Sequence, residues 1–202
     1  MPMKKFDQCL LVDEYAEYWK PLPAVADSLG GAFEQCPRKV FHYEAFCDDA
    51  QELKDICKVD AIALKKSNML TCVSLLEFKG GKTTEDWNKE ALALKAVDTV
   101  LCGLPKFVDY DRSAWGSLFC DQDLALDYYI IISDEHVISI AEDDQKLLKD
   151  RITQQKGKEQ KRQLKNKLSR YGNKHPFDNV NIVNASTFLK RVEQIVGEVR
   201  PA

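Results

Sequence analysis

The 202-residue chain contains no uninterrupted apolar run approaching the roughly 20 residues that cross a bilayer, and no apolar core follows Met1-Pro2-Met3-Lys4-Lys5. Both absences argue against a membrane span or a secretory leader, so the expectation is a cytoplasmic protein without membrane contact. Cysteine pairing is also missing: the seven cysteines, at 9, 36, 47, 57, 72, 102 and 120, form no C-x-x-C, which leaves neither a disulfide framework nor a zinc ribbon. They read as small apolar core residues in a reducing compartment. Histidine is scarce, and His42, His136 and His175 lie too far apart to form a ligand motif. No Walker loop, G-x-G-x-x-G, zinc finger or RNA-recognition signature is present, so neither nucleotide hydrolysis nor dinucleotide binding is indicated. No internal repeat is visible.

What is present is an ordinary globular mixture, 45% hydrophobic and 30% charged, at a length that suits one domain. The net charge of −3 hides an asymmetry. Eleven Lys or Arg against Asp150 and Glu159 give residues 146–174 a charge of +9, which leaves −12 for the rest of the chain. One strongly basic element therefore sits on an acidic body.

Residues 6–19 carry Leu10, Leu11, Tyr15 and Tyr18 at near-helical spacing and end before Pro21. A second helical pattern over 23–38 is interrupted by Gly30-Gly31. The aromatic-rich stretch 40–46 reads as a strand and 48–53 as a turn or short helix. The strongest strand candidates are 59–64 and 70–78, joined by the polar turn 65–68 and expected to pair as a hairpin. After Gly80-Gly81 the period becomes 3.6, with Trp87, Ala91, Leu94, Val97, Leu101 and Leu104 on one face, Thr84 as N-cap, and Gly103 and Pro105 as the stop. Residues 106–124 have no period and read as loop. The run 128–132 has the look of a strand buried on both faces. The basic stretch 142–170 predicts a long helix broken near Gly157, followed by a short strand over 179–184 and a closing helix over 185–199. The whole describes the α/β class, a central mixed β-sheet flanked by helices.

The chemistry is concentrated on the hairpin. Asp60 stands at the edge of one apolar strand and Glu77-Phe78-Lys79 at the end of the next. Strand alternation places Glu77 and Lys79 on one face with Phe78 opposite, and pairing brings Asp60 beside them. Two carboxylates suit Mg²⁺ or Mn²⁺, which prefer oxygen ligands and keep several waters. Such an ion activates a bound water and neutralises charge on a phosphate, while the lysine orients the water and adds positive charge. Lys82, Lys89 and Lys95 are candidates to assist at the phosphate, because the helix after Gly80-Gly81 begins beside this point.

Asp60, a sixteen-residue gap and Glu77-x-Lys79 on consecutive strands resemble the PD-(D/E)XK nuclease superfamily, which includes restriction endonucleases, resolvases and repair nucleases. Val59 stands where the family name places proline. Gly30-Gly31-Ala32-Phe33-Glu34 resembles the helix before that family's core sheet, which implies Glu34 as a further metal-binding carboxylate. The order helix, three strands, helix, strand is similar to that fold's core. The resemblance implies a single domain with a restriction-endonuclease-like core at about 24–140 and 178–200 and a basic helical insertion at about 142–174.

The expectation is then a Mg²⁺- or Mn²⁺-dependent DNA endonuclease in which Asp60, Glu77 and Lys79 are catalytic and Asp60, Glu77 and Glu34 hold the metal. Lys156, Lys158, Lys161, Arg162, Lys165 and Lys167 would grip the nucleic-acid backbone, and Tyr171, His175 and Phe177 are candidates to stack on bases. Nucleases of this size often cut both strands as homodimers, although no interface is legible in this sequence. The alternative is an inactive nucleic-acid- or protein-binding module on the same fold, because fold alone does not imply activity.

Overall fold

A computed structural model describes residues 12–50, 53–67, 70–80, 88–100, 123–134, 146–152, 154 and 177–198. Among these residues one six-stranded mixed sheet has the order β1-β2-β3-β4-β5-β6. Its strands are β1 (Trp19–Pro21), β2 (Lys39–Phe41), β3 (Ala61–Lys66), β4 (Thr71–Lys79), β5 (Leu124–Ile132) and β6 (Asn179–Asn184). Each neighbouring pair from β1 to β4 is antiparallel, and β5 and β6 continue from β4 in parallel. The expected hairpin is β3–β4, with Ala61 opposite Leu76 and Lys66 opposite Thr71. Strand β5 lies between β4 and β6, and the continuous apolar run at its end, Tyr128 to Ile132, is buried throughout.

Strand alternation splits the core in two. On one face Ile62, Leu64, Val73, Leu75, Tyr128, Ile130 and Ile182 meet helix α2 (Tyr43–Asp49), helix α3 (Lys89–Asp98) and the helical residues 146–152, which bury Leu148 and Ile152. On the other, Ala61, Ala63, Leu76, Phe78, Tyr129 and Ile131 meet α1 (Leu22–Val25), the 3₁₀ segment Asp27–Phe33, α4 (Ala185–Lys190) and α5 (Val192–Ile195). Phe33 anchors this second layer, its ring edge-on to Phe78 at 6.2 Å and to Phe188 at 6.0 Å. The sheet is therefore covered on both sides, as its apolar central strands require.

Several elements differ from the sequence reading. The stretch 40–46 is not one strand: β2 ends at Phe41 and α2 begins at Tyr43. Tyr43, Phe46 and Cys47, three and four residues apart, are all buried, so a helical face underlies what looks like alternation. The expected helix over 23–38 is divided at Gly30, whose φ of 62° and ψ of −150° lie outside helical space. Pro21 joins the edge strand β1, where a missing N–H costs least. The closing helix breaks at Arg191 into α4 and α5. Asn88 caps α3 by accepting from Ala91 N at 3.0 Å, whereas the expected cap, Thr84, lies outside the described residues.

Gly80 ends β4 against the 3₁₀ segment. A Cβ there would fall 2.1 Å from the Ser28 carbonyl oxygen, so only glycine permits the approach. Gly80→Ala is expected to cost about 1–3 kcal/mol in urea unfolding. An unchanged midpoint would mean that β4 and the Ser28 segment separate freely.

Candidate active site

Glu77 and Lys79 occupy the last turns of the pleat in β4, on the face that carries Val73 and Leu75 lower down. The β3–β4 register, extended one step past Ala61 and Leu76, sets Asp60 across from Glu77. The Glu77 side chain is 0% exposed, yet Asp60 is 18%, Lys79 31% and Lys95 27% exposed, so the charges form a cluster buried at its centre and open at its rim.

Four contacts assemble it. Lys79 Nζ and Lys95 Nζ each lie 2.6 Å from Glu77 Oε1. Lys95 Nζ also lies 3.7 Å from Asp60 Oδ1, and those two legs hold the acidic oxygens within about 6 Å of each other. Asp60 Oδ2 accepts the Phe78 backbone N–H at 2.6 Å, which ties the carboxylate to β4 itself. The second Glu77 oxygen, Oε2, is buried with no hydrogen-bond partner among the described residues. An orphaned acceptor on a buried carboxylate is uncommon and calls for a cation or a water.

Helix α3 fixes this geometry from above. Leu92, Ala93, Ala96 and Val97 are buried against the sheet, and the two alanines let the helix sit close enough for Lys95 to reach Glu77. At its end Asp98 Oδ2 accepts Cys57 N at 3.3 Å and the buried Thr99 hydroxyl accepts Val59 N at 3.2 Å. The chain entering Asp60 is thus clamped by the same helix that delivers Lys95. Helix α2 adds a third tie, the Glu44 N–H donating to the Asp60 carbonyl at 3.2 Å.

Burial, reinforced by the Glu77 carboxylate and more weakly by Glu44, pushes the Asp60 carboxyl up to about 7, against the pull of the Phe78 N–H and the Lys95 ammonium. Burial works to lower Lys95, but the Glu77 contact and the Asp60 charge outweigh it and hold the ammonium above its usual value. Tyr128, fully buried on the same face with its hydroxyl donating to the Leu92 carbonyl at 3.3 Å, is pushed upward by burial and by both acids.

Glu34 does not join the cluster. It is exposed just beyond the 3₁₀ segment, on the opposite layer, and its carboxylate folds back over Gly31. The acid that α/β packing does bring to bear on Asp60 and Lys95 is Glu44, at the start of α2. The reading of 40–46 as a strand concealed it. Of the three lysines expected to assist, Lys95 is in the cluster, while Lys82 and the Lys89 side chain lie outside what is described. Among the described residues no three His, Cys, Asp or Glu side chains converge as a metal cage. Asp60 and Glu77 nevertheless fit the one or two carboxylates with which Mg²⁺ is usually held, the remaining positions going to waters and substrate phosphates.

Lys156, Lys158, Lys161, Arg162, Lys165 and Lys167, expected from the sequence to grip a nucleic-acid backbone, fall outside the described residues, as do Tyr171 and His175. Phe177 is a core residue and not a base-stacking surface: it is 3% exposed, with its ring 5.8 Å from that of Tyr128. No helix among the described residues is long and apolar enough to cross a membrane. Comparison of the chain with protein-family models, with curated proteins and with solved structures found no match.

The Asp60 carboxyl gives a pH signature. Its folded value of about 7 stands above the ordinary 3.8, so between these values the folded chain holds a proton that the unfolded chain releases. The wild type is expected to lose stability relative to Asp60→Asn as pH rises from about 4 to 7, by up to about 4 kcal/mol, with no further change above. Urea titrations across that range in metal-free buffer check this, and a pH-independent difference would mean an ordinary, unperturbed carboxylate.

Proposed function

We propose that this chain hydrolyses phosphodiester bonds in nucleic acid with the help of a divalent metal, as a DNA endonuclease of the PD-(D/E)XK type with a restriction-endonuclease-like core. The observation that carries the reading is the convergence of Asp60, Glu77 and Lys79 at the end of β4, with Glu77 Oε2 left without a partner among the described residues. The mixed sheet, its antiparallel β3–β4 hairpin and the parallel step from β4 to β5 across α3 support it further.

In this reading Asp60 and Glu77 hold Mg²⁺ or Mn²⁺ from the floor of the cluster. The chemistry such an ion supplies is an acidified water and neutralisation of charge on the phosphate. Lys79, at the open rim, orients the attacking water and adds positive charge where the transition state becomes more negative. The Phe78 N–H keeps Asp60 aimed at the site, so the carboxylate does not have to be ordered when substrate arrives. Nicking of supercoiled plasmid and cleavage of single-stranded DNA, with Mg²⁺ or Mn²⁺, test the assignment. Wild type should cut, and Glu77→Ala and Lys79→Ala should each lose on the order of 100-fold or more in rate.

The basic segment is proposed as the backbone grip, since Lys and Arg bind phosphates through Coulomb attraction and counterion release. Reversing the charge of Lys158, Lys161, Arg162 and Lys165 together should weaken DNA binding and flatten its dependence on salt, as read by fluorescence anisotropy from about 50 to 200 mM salt. Unchanged binding would make the segment a solvated face.

A second reading, an inactive binding module, draws on one observation: Lys79 and Lys95 already balance the two acids without a metal. Wild type that binds DNA but cuts it with neither metal would favour that reading.

A further inference from the structure

We propose that Lys95 is an internal counter-ion that holds the divalent metal's place between Asp60 and Glu77 and must withdraw before the metal can bind. The inference rests on the reading of those two acids as metal ligands and adds a residue that regulates their occupancy. Among the described residues Lys79 pairs with Glu77 and not with Asp60, whereas Lys95 spans both carboxylates, at 2.6 Å from Glu77 Oε1 and 3.7 Å from Asp60 Oδ1. An ammonium in that position repels an incoming dication and stands between Glu77 Oε1 and Asp60 Oδ1, where an ion bridging the two carboxylates would come.

The geometry lets Lys95 leave without disturbing the fold. Its helix is anchored independently, through buried Leu92, Ala93, Ala96 and Val97 and through the Asp98 and Thr99 clamps on residues 57 and 59. The lysine reaches the acids from the flank of that helix on a flexible four-carbon stem and remains 27% exposed, so rotation about its own side-chain bonds carries the ammonium outward. Glu77 keeps a partner meanwhile, because Lys79 stays on the same oxygen. The withdrawn ammonium then lies at the open rim, where the phosphate of a substrate would approach. Lys95 is in these terms a positioning residue for the metal rather than a group that reacts.

Calorimetric titration of Mn²⁺ into the intact, DNA-free chain tests this apart from catalysis. Lys95→Gln is expected to bind Mn²⁺ at least about 10-fold more tightly than wild type, and Lys79→Gln, which leaves the bridge in place, less than about 3-fold more tightly. Lys95→Arg, whose charge is permanent and whose planar fork pairs with carboxylates in a bidentate manner, is expected to weaken binding. Affinity that is equal to or below wild type in Lys95→Gln would overturn the proposal. If that variant fails to fold by circular dichroism, Lys95→Arg decides: affinity equal to or above wild type overturns it. Tighter Mn²⁺ binding in Lys95→Gln together with a wild type that never cuts DNA would sink the nuclease reading and leave the counter-ion role standing.

Discussion

A carboxylate that is 0% exposed, on a strand paired on both sides, is the constraint around which this molecule is organised. Burying an isolated charge is prohibitive, and leaving a buried ion unpaired costs about 3–5 kcal/mol. Glu77 therefore needs its cations, and the fold delivers them from two elements: Lys79 from two residues along β4, and Lys95 from α3 above. Asp60 comes from a third, the entry to β3, and is held by a backbone N–H of β4. Such a cluster needs the sheet register, the seating of α3 and the path of residues 57–59 to be right together. The small residues Ala93 and Ala96, the Thr99 hydroxyl and the absence of a side chain at Gly80 all serve that end.

This expensive arrangement has no structural necessity in it, since an apolar residue at position 77 would continue the stripe of Val73 and Leu75. Replacing buried ion pairs with well-packed apolar groups is often neutral or stabilising. Buried ionisable groups with displaced pKa values, partly open to solvent, gather at functional sites. The raised Asp60 carboxyl and the Glu77 oxygen that has no partner among the described residues are of that kind, and a cation that binds oxygen would relieve both. That is the physical content of the proposed metal centre.

Much of this was legible in the sequence where one periodicity dominates. The 59–64 and 70–78 runs and the apolar 128–132 stretch gave their strands, and alternation along Glu77-Phe78-Lys79 put the two charges on one face. Legibility fails where two patterns overlap or where contacts are distant in sequence. The 40–46 run serves β2 and α2 together, so neither α2 nor the influence of Glu44 on Asp60 could be read from it. Glu34 looked suitable by position, but the turn at Gly30 and the packing of Phe33 on Phe78 place its segment on the other layer. Lys95 was one of three candidate lysines, with Lys82 and Lys89, in the stretch that follows β4. Only the seating of α3 on the sheet, set by Leu92, Ala93, Ala96 and Val97, selects it.

The most direct test of the metal centre is crystallographic. A crystal of the wild-type chain soaked in Mn²⁺ should show an anomalous peak between Asp60 and Glu77, with about 2.0–2.2 Å to an oxygen of each and Lys95 displaced from its bridging position. A well-ordered Lys95 still spanning the two carboxylates, with no anomalous density beside them at saturating Mn²⁺, would contradict the account and leave the cluster as a closed ion-pair network.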